Sequence, residues 1–233
     1  RRQGCAAVME TTLHRQLKER YAADEERREV TVDGFRIDAV VDDRLVEVQS
    51  ASLSAIRDKI RDLVQRHDVL VVKPLAARKL LVKYKRRGGK VVSRRYSPKS
   101  ESIYDLFLEL VHFVPLFPHP RLTLQVLLTE QEEHRVPRKR RRWNGPDYRV
   151  QDRALLSVVD EYEFRSAADL CDLLPAGLPA EFTTADVATQ AGIPRWLAQK
   201  MAYCLRKTGA AELVGKQGNS LVYSLRETRA DAA

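Results

Sequence analysis

The stretch FRIDAVVDDRLVEVQ, residues 35–49, constrains the fold more than any other part of the chain. Asp42-Asp43 separates two runs rich in β-branched residues and is the natural two-residue connection of a β-hairpin. Pairing outward from it sets Val41 opposite Arg44, Val40 opposite Leu45, Ala39 opposite Val46 and Asp38 opposite Glu47, with Ile37 facing Val48 and Arg36 facing Gln49. Side chains alternate across a strand, so one face collects Ile37, Ala39, Val41, Val46 and Val48, and the other Arg36, Asp38, Val40, Leu45, Glu47 and Gln49. A slip of one residue would bury Glu47 beside Ile37, so the apolar pattern selects this register. Two carboxylates then stand across a ladder roughly 5 Å apart, where like charges repel. A positive charge belongs between them.

Two explanations meet that requirement. A hard divalent cation takes one or two carboxylates together with waters and a substrate phosphate. A solvated outer face with Arg36 as counter-charge accounts for the same pair, although Val40 and Leu45 on that face fit it less well.

An Asp in one strand, Glu-x-Lys in its antiparallel neighbour and a helix after it form the core of the PD-(D/E)XK nuclease superfamily. Residues Asp38 and Glu47-Val48-Gln49 resemble that core, with Gln49 where lysine is usual. The resemblance covers the first half of the chain. It implies an α/β fold of the restriction-endonuclease type, a mixed sheet flanked by helices, with Mg²⁺ or Mn²⁺ as cofactor. It implies Asp38 and Glu47 as metal ligands and catalytic residues, joined in catalysis by Gln49. In members of the superfamily a glutamate of the first helix adds a metal ligand, which matches Glu10 here. In others the catalytic lysine moves to the following helix, which matches Lys59. From the residues alone, Glu10 is equally a surface glutamate near a helix start, and Lys59 an ordinary helix-flank lysine.

The neighbouring segments fit the same order. Met9, Leu13, Leu17 and Tyr21 repeat at helical spacing, with Glu10 and His14 at the margin of the stripe. SLSAIRDKIRDLVQRH places Leu53, Ile56, Ile60, Leu63 and Val64 on one helical stripe, capped by Ser52 or Ser54, with Arg57 and Lys59 on its edges. DVLVVKPL and RKLLVKY read as two strands, SIYDLFLELVHFV as a helix and RLTLQVLLT as a further strand.

The chain's 233 residues carry a net charge of +9, which favours a polyanionic partner. The charge is clustered. KYKRRGGKVVSRRY reads as a hairpin whose turn projects Lys85, Arg86 and Arg87, and HRVPRKRRRW, residues 134–143, reads as an exposed basic linker. No apolar run approaches the roughly 18 to 20 residues of a membrane span. Cys5, Cys171 and Cys204 form no CxxC pair, so neither a zinc site nor a disulfide framework is expected. The chain thus reads as cytoplasmic, bound to no membrane, with a homodimer admitted.

After Gln151 the pattern changes. RALLSVVDEY and SAADLCDLL read as helices. Thr184 then caps a short helix that Gly192 ends, and Pro194 opens another whose buried stripe is Leu197, Met201 and Leu205. The opposite side of that helix carries Arg195, Gln199, Lys200, Tyr203 and Arg206, while Trp196 reads as core or as stacked on the preceding helix. AELVG and SLVYSL flank a turn at Lys216-Gln217-Gly218-Asn219. Helix, turn, helix and hairpin resemble a winged helix-turn-helix domain, which implies a reading helix and a wing. The expected division is 1–133 for the nuclease-like domain, 134–150 for a basic linker, 151–228 for the winged helix and 229–233 for a tail. The expected function is metal-dependent endonucleolytic hydrolysis of DNA, with DNA favoured over RNA. Nucleic-acid contacts fall to Arg57, Lys85, Arg86, Arg87, Arg195, Gln199, Lys200, Tyr203, Arg206 and Lys216. The alternative is a non-catalytic DNA-binding regulator or scaffold built on an inactive nuclease fold.

Overall fold

The computed structural model describes residues 10–138 and 145–226. Its first element, α1 (Thr12–Tyr21), starts where the Thr11 hydroxyl accepts the His14 amide at 3.3 Å, and it buries Leu13 and Leu17 along one face. Three antiparallel strands follow, β1 (Arg28–Val32), β2 (Phe35–Val41) and β3 (Arg44–Val48). Asp42 and Asp43 take φ of 48° and 63°, the left-handed pair that a two-residue hairpin turn requires. The register Val41–Arg44, Val40–Leu45, Ala39–Val46 is the expected one.

A capped turn at Leu53–Ala55, with Ser52 as its cap, leads into α2 (Arg57–Leu63). Next comes β4 (Val69–Tyr84), parallel to β3 on one side and to β6 (Leu122–Pro137) on the other. The two strands expected from DVLVVKPL and RKLLVKY are thus one. Pro74 is tolerated inside it because β3 has already left: the last β3–β4 pair is Val48–Val72, so the missing N–H falls where no neighbour awaits it. Beyond that point β5 (Val91–Tyr96) pairs with the far end of β4 as a hairpin, as expected from the basic cluster. A helix α3 (Leu106–Leu110) precedes β6.

The segment RALLSVVDEY is not a helix. It lies within β7 (Tyr148–Phe164), which runs antiparallel to β6 and closes the large mixed sheet in the order β1-β2-β3-β4-β6-β7. Three irregularities in the β6–β7 ladder leave Gln151, Leu156 and Val159 without partners, and the last two are exposed. Each such bulge shifts the two-residue alternation by one. Apolar residues therefore fall at 155, 156, 158 and 159, a spacing that imitates a helix. The linker reading of 134–150 is corrected as well: its ends belong to β6 and β7, and only 139–144 lie outside the described residues.

Apolar clusters cover both faces of the sheet. One gathers Leu13 and Leu17 of α1 with Ala39, Val46, Val48, Leu70 and Val72, while the other gathers Ile60 and Leu63 of α2 and Phe107 of α3 with Ile37, Leu45 and Val71. Ile37 therefore departs from the face expected for it.

The C-terminal part comprises α4 (Ala167–Cys171), β8 (Glu181–Thr183), α5 (Thr184–Ala191), α6 (Arg195–Thr208), β9 (Ala211–Gln217) and β10 (Ser220–Leu225), with the strands ordered β8-β10-β9. The cap of α5 is Thr183 rather than Thr184, in a reciprocal box with Asp186. Gly192 ends that helix at φ 64°, where a side chain would be strained. Leu197, Met201 and Leu205 of α6 are buried as expected, in the same continuous core as α3. The two parts thus share an apolar core. Among the described residues no helix is long and apolar enough to cross a membrane.

Candidate active site

The site begins where the β2–β3 ladder stops. Past Ala39–Val46 the strands exchange side chains for backbone bonds: the Val48 N–H donates to Asp38 Oδ2 at 2.8 Å, and the Asp38 N–H donates to Glu47 Oε1 at 3.4 Å. This reciprocal arrangement satisfies amides that a regular ladder would have paired. It also fixes both carboxylates at the break.

The two carboxylates have different neighbours. Asp38 turns toward α1, where its Oδ1 lies 3.1 Å from His14 Nε2. Glu47, only 5% exposed, is met from α2 by Lys59, whose ammonium sits 2.5 Å from Oε1 and also donates to the Arg36 carbonyl. Burial and then the nearby Asp38 charge push the Glu47 carboxyl up, against the pull of Lys59. Burial would likewise raise Asp38, but the hydrogen bond and charge of His14, the Val48 amide and Lys18 together hold it below the usual range.

A cleft of about 550 Å³ opens beside the break, with Glu10, His14, Lys18, Glu29, Arg36, Asp38, Gln49 and Arg153 on its walls. Lys18 is buried and bridges Glu10 at 2.5 Å and Glu29 at 2.6 Å. Burial disfavours its charge, yet the bonds to Glu10 and Glu29 outweigh that and hold its pKa up. Glu29, bonded by Lys18 and then Arg36, is brought down to about 2. Its backbone sits at φ 57°, a conformation that costs a non-glycine residue on the order of 1 kcal/mol.

Of the residues expected at the site, Glu10, Asp38 and Gln49 therefore line one cleft. Gln49 anchors its amide on the Val72 carbonyl at 2.8 Å, and its Oε1 accepts the Ala51 N–H at 3.1 Å. Glu47 and Lys59 stand as an ion pair behind the break, outside the cleft's lining. Arg57 stays off the cleft, its Nε 3.6 Å from Asp58. Among the described residues, no three of His, Cys, Asp and Glu already stand in a metal-holding arrangement.

Sequence reasoning missed Lys18, Glu29, Arg153 and Lys73. Lys18 was within reach, since it lies one helical turn beyond His14 and two beyond Glu10. Arg153 arrives from β7 and carries no local signal. Lys73, buried under the loop that follows Gln49, donates to the Ala51 carbonyl at 2.5 Å, and burial pulls its pKa down.

The basic residues expected to touch nucleic acid form two further sets. Lys85, Arg86 and Arg87 are exposed at the β4–β5 turn. On α6, Arg195, Gln199, Tyr203 and Arg206 are exposed and Lys200 is half-buried, while Lys216 is exposed on β9. Arg195 reaches the β9–β10 hairpin through Ser220 Oγ at 3.2 Å. Trp196 is not core: it is 53% exposed on the same helix.

A family model described as "Domain of unknown function (DUF8091)" matches residues 11–165, from the cap of α1 to the end of β7. The chain is also 32% identical over 216 residues to a protein of Treponema pallidum (strain Nichols) named "Uncharacterized protein", covering 92% of this chain and 84% of that one. No solved structure matches.

Proposed function

The chain belongs to the DUF8091 family; from the geometry of its site we propose that it is a metal-dependent nuclease hydrolysing phosphodiester bonds, with DNA as its substrate. The observation that carries this reading is the break at Asp38 and Glu47, which holds two carboxylates next to a cleft already lined by Glu10 and Gln49. Strand, strand, helix, strand, here β2, β3, α2 and β4, is also the order that the PD-(D/E)XK resemblance calls for.

The donor chemistry fits a hard divalent cation, because Glu10, Asp38 and Glu47 all offer carboxylate oxygens. Those three residues would hold Mg²⁺ or Mn²⁺, which when bound polarises the scissile phosphate and lowers the pKa of an attacking water. His14 fixes the orientation of Asp38. Lys59 pulls Glu47 toward its ionised form, against the burial and the Asp38 charge that raise it. Gln49 stands where its amide can orient the water or donate to a phosphate oxygen, and Arg36 and Arg153 on the walls offset phosphate charge.

A second reading, the non-catalytic regulator, draws on a specific observation as well. Glu10 and Glu47 already carry lysines, so the carboxylates are neutralised without an ion. Purified protein with Mg²⁺ or Mn²⁺ on duplex, single-stranded and branched DNA and RNA decides between the two. The nuclease reading expects cleavage together with a metal-dependent rise in melting temperature, through preferential binding to the folded state. Neither response on any substrate leaves the regulator.

The α4-to-β10 segment resembles a winged helix-turn-helix, with α6 as reader and the β9–β10 hairpin as wing. Exposed cationic and amide side chains on α6 support contact with DNA. The triple variant Arg195→Ala, Lys200→Ala, Arg206→Ala is expected to bind duplex more weakly and to flatten the slope of log K against log salt by up to about 3, since each phosphate contact contributes about 0.9. An unchanged slope would assign α6 to protein contacts.

A further inference from the structure

The cleft is a poor place to hold a polyanion, because Glu10, Glu29 and Asp38 share its walls with the cations. The opposite electrostatics occur at the far end of the sheet. Since β4 and β6 run parallel, the turn after β4 and the end of β6 emerge on the same side. Between them lies a broad groove of about 970 Å³ lined by Lys85, Arg86, Arg87, Arg138 and Arg149, with Val136 and Pro137 as its floor.

No carboxylate is among the described residues that line this groove, and no aromatic ring either. The first fact leaves five cations free of lining counter-charge. The second leaves this lining, among the described residues, without a platform on which an unpaired base would stack. Arg138 is preorganised: its amide donates to the Asp147 carbonyl at 3.0 Å and its Nε to the Tyr148 carbonyl at 2.8 Å, and its terminal nitrogens have no partner among the described residues. Such a lining recognises consecutive phosphates and reads no sequence.

We propose that the groove between the β4–β5 turn and the bases of β6 and β7 is a second, sequence-independent grip on the backbone of duplex nucleic acid. The choice of nucleic acid as occupant rests on the nuclease reading of the cleft. Along β4 the groove and the cleft are separated by the run from Val72, which anchors Gln49, to Lys85. At about 3.3 Å per residue that run spans about 43 Å. Duplex rises about 3.4 Å per base pair, so one molecule needs about 13 base pairs to engage both places. The grip therefore makes the protein select against short duplexes.

Arg86, Arg87 and Arg149 are exposed, so their removal spares the fold. The variant Arg86→Ala, Arg87→Ala, Arg149→Ala of the full chain is compared with the parent in metal-free buffer, by anisotropy of labelled duplexes of about 8 and about 24 base pairs over a salt series. At unchanged melting temperature, it is expected to bind the longer duplex at least about tenfold more weakly and to lose about 2 to 3 from the salt slope, with a smaller loss on the shorter duplex. Equal affinity and slope in variant and parent overturn the grip. So does a variant that keeps its duplex affinity while losing retention on phosphatidylserine vesicles, which would make the groove a lipid site. Binding is read without metal, so a parent that never cleaves while the variant loses affinity refutes the nuclease reading and leaves the grip standing. A parent that cleaves while the variant binds unchanged does the reverse.

Discussion

On the proposed nuclease function, Glu47→Gln is expected to abolish cleavage while leaving nucleic-acid binding intact and the fold no less stable. Removing a carboxylate ligand of a catalytic ion forfeits several kcal/mol of transition-state stabilisation, a rate loss on the order of a thousandfold. The stability side follows from the surroundings. Glu47 is 5% exposed, and burial with the nearby Asp38 charge raises its pKa above that of the unfolded chain. Its ionised form therefore costs stability as pH rises through the folded pKa, and that cost is absent below the unfolded value. The amide of glutamine keeps an acceptor for the Asp38 N–H and for Lys59 while removing the repulsion. Melting curves near neutral pH should place the variant level with the parent or above it, and the parent should gain on it under acid. Cleavage that survives in Glu47→Gln would remove Glu47 from the site.

The complementary change has the opposite sign. Lys59→Met leaves Glu47 buried with no cation, and breaking such a pair from one side costs about 3 kcal/mol. The unfavourable species is the ionised carboxylate, so the loss should be full at neutral pH and shrink as acid protonates Glu47. Urea denaturation at the two pH values measures it. The double variant Lys59→Met, Glu47→Gln should recover most of the stability, because no buried charge remains to be neutralised. A loss independent of pH, or one the double variant fails to restore, would mean that Lys59 acts through the packing of its stem on α2.

The contrast between the β2–β3 hairpin and β7 explains how much of this was legible. The hairpin was readable because Asp42-Asp43 fixes the turn, the turn fixes the register, and the register places Asp38 and Glu47 at one level of the sheet. What the sequence did not reveal is that the ladder breaks there, sending Asp38 toward α1 and Glu47 toward α2. That outcome depends on His14 and Lys59, which arrive from other elements. The C-terminal helices were legible from Gly192 and Pro194, whose backbone preferences act locally, and only the cap moved by one residue. In β7 the information is non-local: three bulges opposite β6 reset its alternation, and no window of the sequence carries that count. Arg153 was hidden for the same reason.

The attachment of α1 to β7 has a consequence in time. Thr12 bonds Asp152 through both its amide and its hydroxyl, at 2.8 and 2.6 Å, across 140 positions of chain, and the Leu155 N–H donates to Gln16 at 2.8 Å. The helix that brings His14 to Asp38 is therefore moored on the last strand of the large sheet. Contacts this distant form late, because closing so long a loop costs entropy before any bond repays it. A chain emerging from the ribosome can thus complete the β2–β3 hairpin and display Asp38 and Glu47 well before β7 is there to moor α1. The cleft is complete only when β7 has supplied Arg153, so an unfinished chain carries the carboxylates without that wall.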